Sequence, residues 1–175
     1  AKRVGKSGAS RMPEVVAKTK TGWGAGRANV MADLIVERLT GAPSNGYTNA
    51  AMQRGIDTED EARAAYQFER GILVERVDFV DHPSIAMSGC SPDGLVGDDG
   101  LVEIKCPQSA THLETLLGQS VPGKYVIQIQ WQMATTGRQW CDFASYDPRM
   151  PDEMRLFIKR VPRDAVHIAE LEGQV

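Results

Sequence analysis

Cysteine is scarce. Cys90, Cys106 and Cys141 are odd in number, and no two form a C-x-x-C pair. That argues against a disulfide framework and leaves free thiols in a reducing cytoplasm as the expected state. Three cysteines also cannot ligate a four-cysteine iron–sulfur cluster. The histidines His82, His112 and His167 are scattered without metal-ligand spacing, and are expected to be solvated or locally bonded. No apolar run approaches the ~18 residues of a spanning helix. The start, "AKRVGKSGASRMPEVV", lacks the apolar centre of a secretory signal. Its missing initiator Met suggests a trimmed or processed chain. There is no internal repeat, low-complexity tract or interdomain linker, so residues 1–175 are expected to form a single domain.

The formal net charge of −3 argues against a polyanionic partner, but the distribution argues the other way. Lys2, Arg3, Lys6, Arg11, Lys18, Lys20 and Arg27 face only Glu14 within the first 27 residues, a local charge of +6. Local positive charge is what a phosphate backbone responds to, although a basic start is also commonly a solvated arm. Trp131 and Trp140 are expected in the core. Trp23 is too, but its place beside Lys20 and Arg27 also suits contact with nucleic acid.

"ANVMADLIVERLTG" is an amphipathic helix by the spacing of Met31, Leu34, Ile35, Arg38 and Leu39, stopped by Gly41 and Pro43. "GAPSNGYTN" is a loop. "TEDEARAAYQFERG" predicts a second helix with Thr58 as N-cap and Glu61 as its capping-box partner. "ILVERVDFV" and "SIAMSGC" read as strands, followed by a hairpin through "GDDG". "GKYVIQIQWQMATTG" carries strand-like β-branched residues, but its length and terminal Gly137 favour a helix. "QWCDFASYD" and "MRLFIKRV" are two further strands about a "DPRMP" turn. The sum is a mixed α/β domain around one central sheet, with one helix inserted among the strands.

In "LVEIKC" alternate side chains share a face, so Glu103 and Lys105 lie together while Val102, Ile104 and Cys106 point the other way. One reading is an exposed cross-strand ion pair, worth little. Against it, the flanking residues are strongly apolar, and "SPDG" brings Asp93 across a short turn towards Glu103. Two neighbouring carboxylates repel unless a cation neutralises them, and hard oxygen ligands suit Mg²⁺ or Mn²⁺. Asp followed about ten residues later by Glu-x-Lys is the PD-(D/E)xK nuclease pattern, a short motif that needs its strand context. Glu59 shares a helix face with Ala62 and Tyr66. It reads either as an inward acid or as a first-turn glutamate favouring the helix dipole.

With these residues in view, the chain resembles the phage lambda exonuclease family and its viral-recombinase relatives in the PD-(D/E)xK superfamily. The resemblance runs from Arg3 to about Val161 and rests on several segments in order. "RVGKSGAS" is similar to the family's entry segment, "EDEAR" to its helix glutamate motif, and "CSPDGL" with "EIKCP" to its catalytic hairpin. "YVIQIQ" resembles the following helix, and "YDPRM" a turn signature of the lambda enzyme. The loop at 41–50 differs, and the end after "RVPRD" looks short.

The resemblance implies a restriction-endonuclease-like core, a central mixed sheet flanked by helices. It implies Asp93, Glu103 and the Ile104 carbonyl as metal ligands, with Glu59 on a second ion, and two Mg²⁺ (or Mn²⁺) per site. Lys105 would position and help deprotonate the attacking water, and Gln128, with Tyr125 nearby, would brace the site. Arg3, Ser10 and Ser91 match a pocket for a 5′-phosphate, and Met52 an apolar wedge that splays terminal base pairs. The implied activity is 5′→3′ digestion of double-stranded DNA to mononucleotides, leaving a 3′ single strand. Implied partners are DNA ends, copies of this chain in a trimeric ring, and a phage single-strand annealing protein, in the cytoplasm of a bacterial host and away from membranes. An endonuclease or resolvase of the superfamily, or a silent DNA-binding protein of the same fold, are the alternatives. Retention of Asp93, Glu103 and Lys105 together argues against silence.

Overall fold

A computed structural model describes residues 3–44 and 49–175. A short strand β1 (Ser7–Gly8) leads through a 3-10 turn into α1 (Met12–Val16) and a hairpin of β2 (Lys18–Thr19) and β3 (Gly22–Trp23). Two longer helices follow, α2 (Ala25–Thr40) and α3 (Ala50–Arg70). Next come β4 (Val74–Glu75), β5 (Val80–Asp81), β6 (Ser88–Cys90), β7 (Gly94–Val96) and β8 (Gly100–Lys105). Helices α4 (Ser109–Gly118) and α5 (Gly123–Thr136) precede β9 (Trp140–Tyr146), β10 (Leu156–Pro162) and α6 (Ala165–Glu172).

The larger sheet has five strands in the order β10-β9-β8-β7-β4. Its one parallel pair is β8–β9, so the sheet is mixed. Parallel neighbours need a long crossover, and α4 with α5 supplies it. A second sheet, β1-β6-β5, pairs the N-terminal strand in parallel with β6. That pairing carries residues 3–10 to the end of β6, the strand that runs into Asp93.

Helix α5 lies between these layers, and Gln128 through Thr135 are all buried. Ile129 and Met133 pack on Leu101 and Phe143 of the large sheet, while Trp131 packs with Met12 and Cys90 on the opposite side. A helix covered all round shows no polar face, which is why its sequence is ambiguous with a strand. Gly137, at φ 74°, ends it in the left-handed conformation. On the other face of the large sheet, α3 lays Ala62 and Tyr66 over Val102 and Ile104.

Several expectations are corrected. Helix α3 begins at Ala50, where the Asn49 side chain caps it by accepting the Met52 N–H at 2.9 Å. Thr58 is therefore interior, donating its hydroxyl to the Arg54 carbonyl at 2.7 Å, and Glu61 accepts from the Tyr146 hydroxyl instead of closing a capping box. The strand read over 72–80 is split into β4 and β5, which belong to different sheets. The strand read over 84–90 shrinks to β6, because Met87 takes a left-handed φ of 59°. There are three sheets among the described residues, and α1, α4, α6 and the β2–β3 hairpin are additions.

Helix α2 forms as read, but its apolar stripe does not face the core: Met31, Ile35 and Leu39 are exposed, and the buried positions are Val30 and Glu37. His82 and His112 are buried, and of the two readings local bonding holds for His82, whose Nδ1 accepts the Ile85 N–H at 3.1 Å. His82 lies against Trp131 and 3.2 Å from Glu172, and His112 bonds to Ser145 Oγ and the Met154 carbonyl. Trp23 is exposed beneath the Arg27 guanidinium, and Trp140 is half-buried beneath that of Arg160. The loop read over 41–49 lies partly outside the described residues. No described helix is long and apolar enough to cross a membrane.

Candidate active site

The edge where β7 meets β8 collects the acids. Asp93 stands in the turn between β6 and β7, and its Oδ2 accepts the Ile104 N–H at 2.7 Å. That bond pins the "SPDG" turn to the end of β8. Two residues apart on one face of β8, Glu103 and Lys105 form an ion pair. Val102, Ile104 and Cys106 turn the other way, into the α3 interface, as the period of two requires.

Glu103 is almost completely buried, at 1% exposure. A carboxylate is retained at such a site only if its lone pairs are met by donors. Gln128 Nε2 donates to Oε1 at 2.6 Å and Gln132 Nε2 to Oε2 at 2.6 Å. Those glutamines are one helical turn apart on α5, so one face of the helix holds both oxygens. Gln132 was missed in the sequence. The signal was the i, i+4 repeat of Gln in "QIQWQ", which has meaning only once the segment is known to be helical.

The charges interact strongly. Burial raises the pKa of Asp93, and the negative charges of Glu103 and Glu59 raise it further. For Lys105, burial alone would lower the pKa, but Glu103 and Asp93 outweigh it and keep the side chain an ammonium. Cys106 and Cys90 are each pushed up to about 12, chiefly by burial, which leaves both as unreactive thiols.

Glu59 stands slightly apart. Its Oε1 accepts from Arg63 at 2.5 Å. Arg63 is itself buried, and also donates to Asp60 at 2.7 Å and to the Asp93 carbonyl at 3.3 Å. This arginine, also missed in the sequence, ties α3 to the acidic turn.

A cavity of about 170 Å³ unites most of the anticipated residues: Arg3, Ser10, Ser91, Asp93, Glu103, Lys105 and Gln128 line it. Arg3, Ser10 and Ser91 are exposed at its rim. A wider cleft of about 710 Å³ shares Ser10, Lys105 and Gln128 with it, and adds Glu59, Ile104 and Tyr125. Met52 lies on the wall of this cleft at 53% exposure, so it is not a core methionine. Arg54 and Lys124, not anticipated, line the same cleft and make it partly cationic.

Among the described residues no three acidic, histidine or cysteine side chains form a closed metal cage. The donor set is open instead: Asp93, Glu103 and the main chain of Ile104, with Glu59 nearby. All are oxygen donors, and an open oxygen set matches Mg²⁺, which keeps several of its waters. Such a site can hold a hard cation beside a fixed ammonium and three hydrogen-bond donors for an anion.

Comparison with known proteins identifies the family. Residues 1–139 match the model of the YqaJ-like viral recombinase domain. An alkaline exonuclease (LHK-Exo) from Laribacter hongkongensis is 51% identical, with a TM-score of 0.92 over 99% of this chain and 85% of that one. The same protein with dAMP bound superposes equally well. A phage-related exonuclease from Haemophilus somnus 129PT, 13% identical, shares the fold with a TM-score of 0.79 over 97% of this chain and 89% of its own. No curated protein matches. The motif order, the acidic hairpin on a mixed sheet and this likeness converge: the chain belongs to the YqaJ-like viral recombinase domain family.

Proposed function

We propose that this protein is a Mg²⁺-dependent exonuclease that degrades double-stranded DNA from its 5′ ends, releasing mononucleotides and leaving a 3′ single strand for annealing recombination. One observation carries the reading: Arg3, Ser10 and Ser91 line the same small cavity as Asp93, Glu103 and Lys105. A planar guanidinium and two hydroxyls suit a terminal phosphate, and the acids and lysine then stand beside the phosphodiester that follows it. That Laribacter hongkongensis LHK-Exo binds dAMP, a mononucleotide, supports the proposed product.

Asp93, Glu103 and the Ile104 carbonyl would hold the metal, with Glu59 turning from Arg63 to a second ion; Mn²⁺ is a chemically similar substitute. Two bound ions would supply Lewis acidity and a hydroxide at neutral pH. Lys105 holds the attacking water or the charge developing on phosphorus. Gln128 and Gln132 fix the Glu103 oxygens so that the ligand does not reorient during the reaction. Met52, flexible and apolar on the cleft wall, is placed to part the last base pairs. Exposed Trp23, flanked by Lys18 and Arg27, offers a further stacking and cationic contact to the duplex.

The proposal extends to a trimeric ring and to a single-strand annealing protein as partner. The exposed apolar stripe of α2 supports the presence of some partner. Linear duplex labelled at each 5′ end and incubated with Mg²⁺, beside a closed circle, tests the function. Loss of 5′ label as mononucleotide with the circle intact is the expected result. Nicking of the circle would replace the proposal with an endonuclease.

A further inference from the structure

The phosphate pocket depends on a short N-terminal turn that has little core of its own, so something outside it must set the direction of Arg3. That turn runs from Arg3 to Lys6, closed by the Lys6 N–H donating to the Arg3 carbonyl at 3.1 Å. Gly5 inside it has a φ of +71°, the left-handed conformation. Both main-chain polar atoms of Gly5 are taken by consecutive residues of α2. Its N–H donates to Glu37 Oε2 at 2.8 Å, and its carbonyl accepts from Arg38 Nε at 2.8 Å. A side chain at position 5 would meet Arg38 Cγ at 2.6 Å, so the clamp closes over a bare backbone. Beyond the turn, the Arg3 guanidinium lies near Gly8, where an added Cβ would come to 3.7 Å from it.

Glu37 is an unusual residue for an otherwise exposed helix, being only 5% exposed. Its other oxygen accepts from Arg11 at 2.8 Å and from the Ser44 hydroxyl at 2.8 Å. Burial opposes its charge, but the Gly5 N–H, Ser44 and Arg11 outweigh it, and its pKa falls to about 2. It stays an anion. One carboxylate thus joins the turn bearing Arg3, the start of α1, and the segment that leaves α2 towards α3.

We propose that Glu37 and Arg38 are positioning residues that set the preference for a 5′-phosphorylated end by clamping Gly5 and so aiming Arg3. The inference rests on the 5′-phosphate reading above. Neither residue lines the catalytic cavity, so the effect falls on end recognition and not on hydrolysis.

The test compares digestion of the same duplex carrying a 5′-phosphate or a 5′-hydroxyl, by wild type, Arg3→Ala, Arg38→Ala, Arg38→Lys and Glu37→Gln. Arg38→Ala should lower the phosphate-over-hydroxyl ratio of kcat/KM at least fivefold, through KM for the phosphorylated end. Arg38→Lys, which keeps a donor for the Gly5 carbonyl, should recover at least half of that loss on a logarithmic scale. The ratio is internal to each preparation, so partial misfolding cancels, and exposed Arg38 decides the matter if Glu37→Gln is insoluble. A ratio within twofold of wild type in Arg38→Ala, while Arg3→Ala loses it, overturns the clamp alone. No preference in wild type overturns the 5′-phosphate reading itself, and the clamp with it.

Discussion

Gln132→Leu tests how far the chemistry depends on an acid held in place by a helix. The substitution keeps nearly the same volume at a fully buried position and removes one donor from Glu103 Oε2. Hydrogen bonds to charged groups contribute about 1.5–3 kcal/mol. Among the described residues the Gln132 Oε1 has no hydrogen-bond partner, so Leu also relieves an unsatisfied buried oxygen worth about 1–3 kcal/mol. The two effects offset each other in the folded protein, and the urea midpoint should change little. Function should not be spared in the same way, because Glu103 is left with Gln128 and Lys105 and is free to swing. Losses of orienting partners around metal ligands typically cost about 10–100-fold in affinity or activity. The assay is turnover of 5′-labelled duplex across a Mg²⁺ titration, with urea unfolding on the same samples. A tenfold or larger rise in half-saturating Mg²⁺, or an equal fall in kcat, is expected with near-native stability. Turnover and Mg²⁺ dependence both within twofold of wild type would refute the reasoning.

Lys105→Ala should stop cleavage while duplex binding persists in a gel-shift assay; turnover within about tenfold, roughly 1.4 kcal/mol of barrier, would contradict the role given to the ammonium. Ca²⁺ in place of Mg²⁺ should support binding without hydrolysis, since its larger and looser coordination sphere misplaces the water, and efficient digestion with Ca²⁺ would contradict that geometry. His82 has its pKa lowered, mainly by burial, with Glu172 opposing. The unfolded chain therefore takes up its proton first, so stability present above about pH 6.5 should fall as pH drops below it. Urea midpoints at pH 7.5 and 5.5 should converge in His82→Asn relative to wild type, and an unchanged difference would rule out this histidine as the cause.

The fold class and the pairing of side chains in the catalytic hairpin were legible in the sequence, the bounds of several elements less so. In "LVEIKC" the period of two decides which side chains share a face whatever the sheet does elsewhere, so Glu103 and Lys105 could be paired and Val102 and Ile104 assigned to the core. The register of Ala62 and Tyr66 on α3 followed from helical spacing in the same way. The α3 boundary failed because Gly55 and the polar residues before Thr58 hid a largely exposed first part of the helix, whose start is set by the Asn49 cap. The apolar stripe of α2 was legible as a pattern but not as a direction: periodicity shows that a face exists, not what covers it. Glu37, Arg63 and Gln132 escaped because each acts through contacts far away in sequence, at Gly5, Asp93 and Glu103. The burial of His112 escaped for the same reason, its partner lying at Ser145, whereas His82 also makes the local bond that was expected, accepting the Ile85 N–H at 3.1 Å.

The central claim is that Asp93 and Glu103, from separate strand ends, share a hard cation beside Lys105 and a phosphate-sized pocket. Anomalous diffraction from crystals soaked in Mn²⁺ tests it most directly. The account predicts a manganese peak within bonding distance of both carboxylates, lost in Asp93→Asn. Manganese bound elsewhere, or absent between those two acids while the crystals still digest DNA, would contradict it.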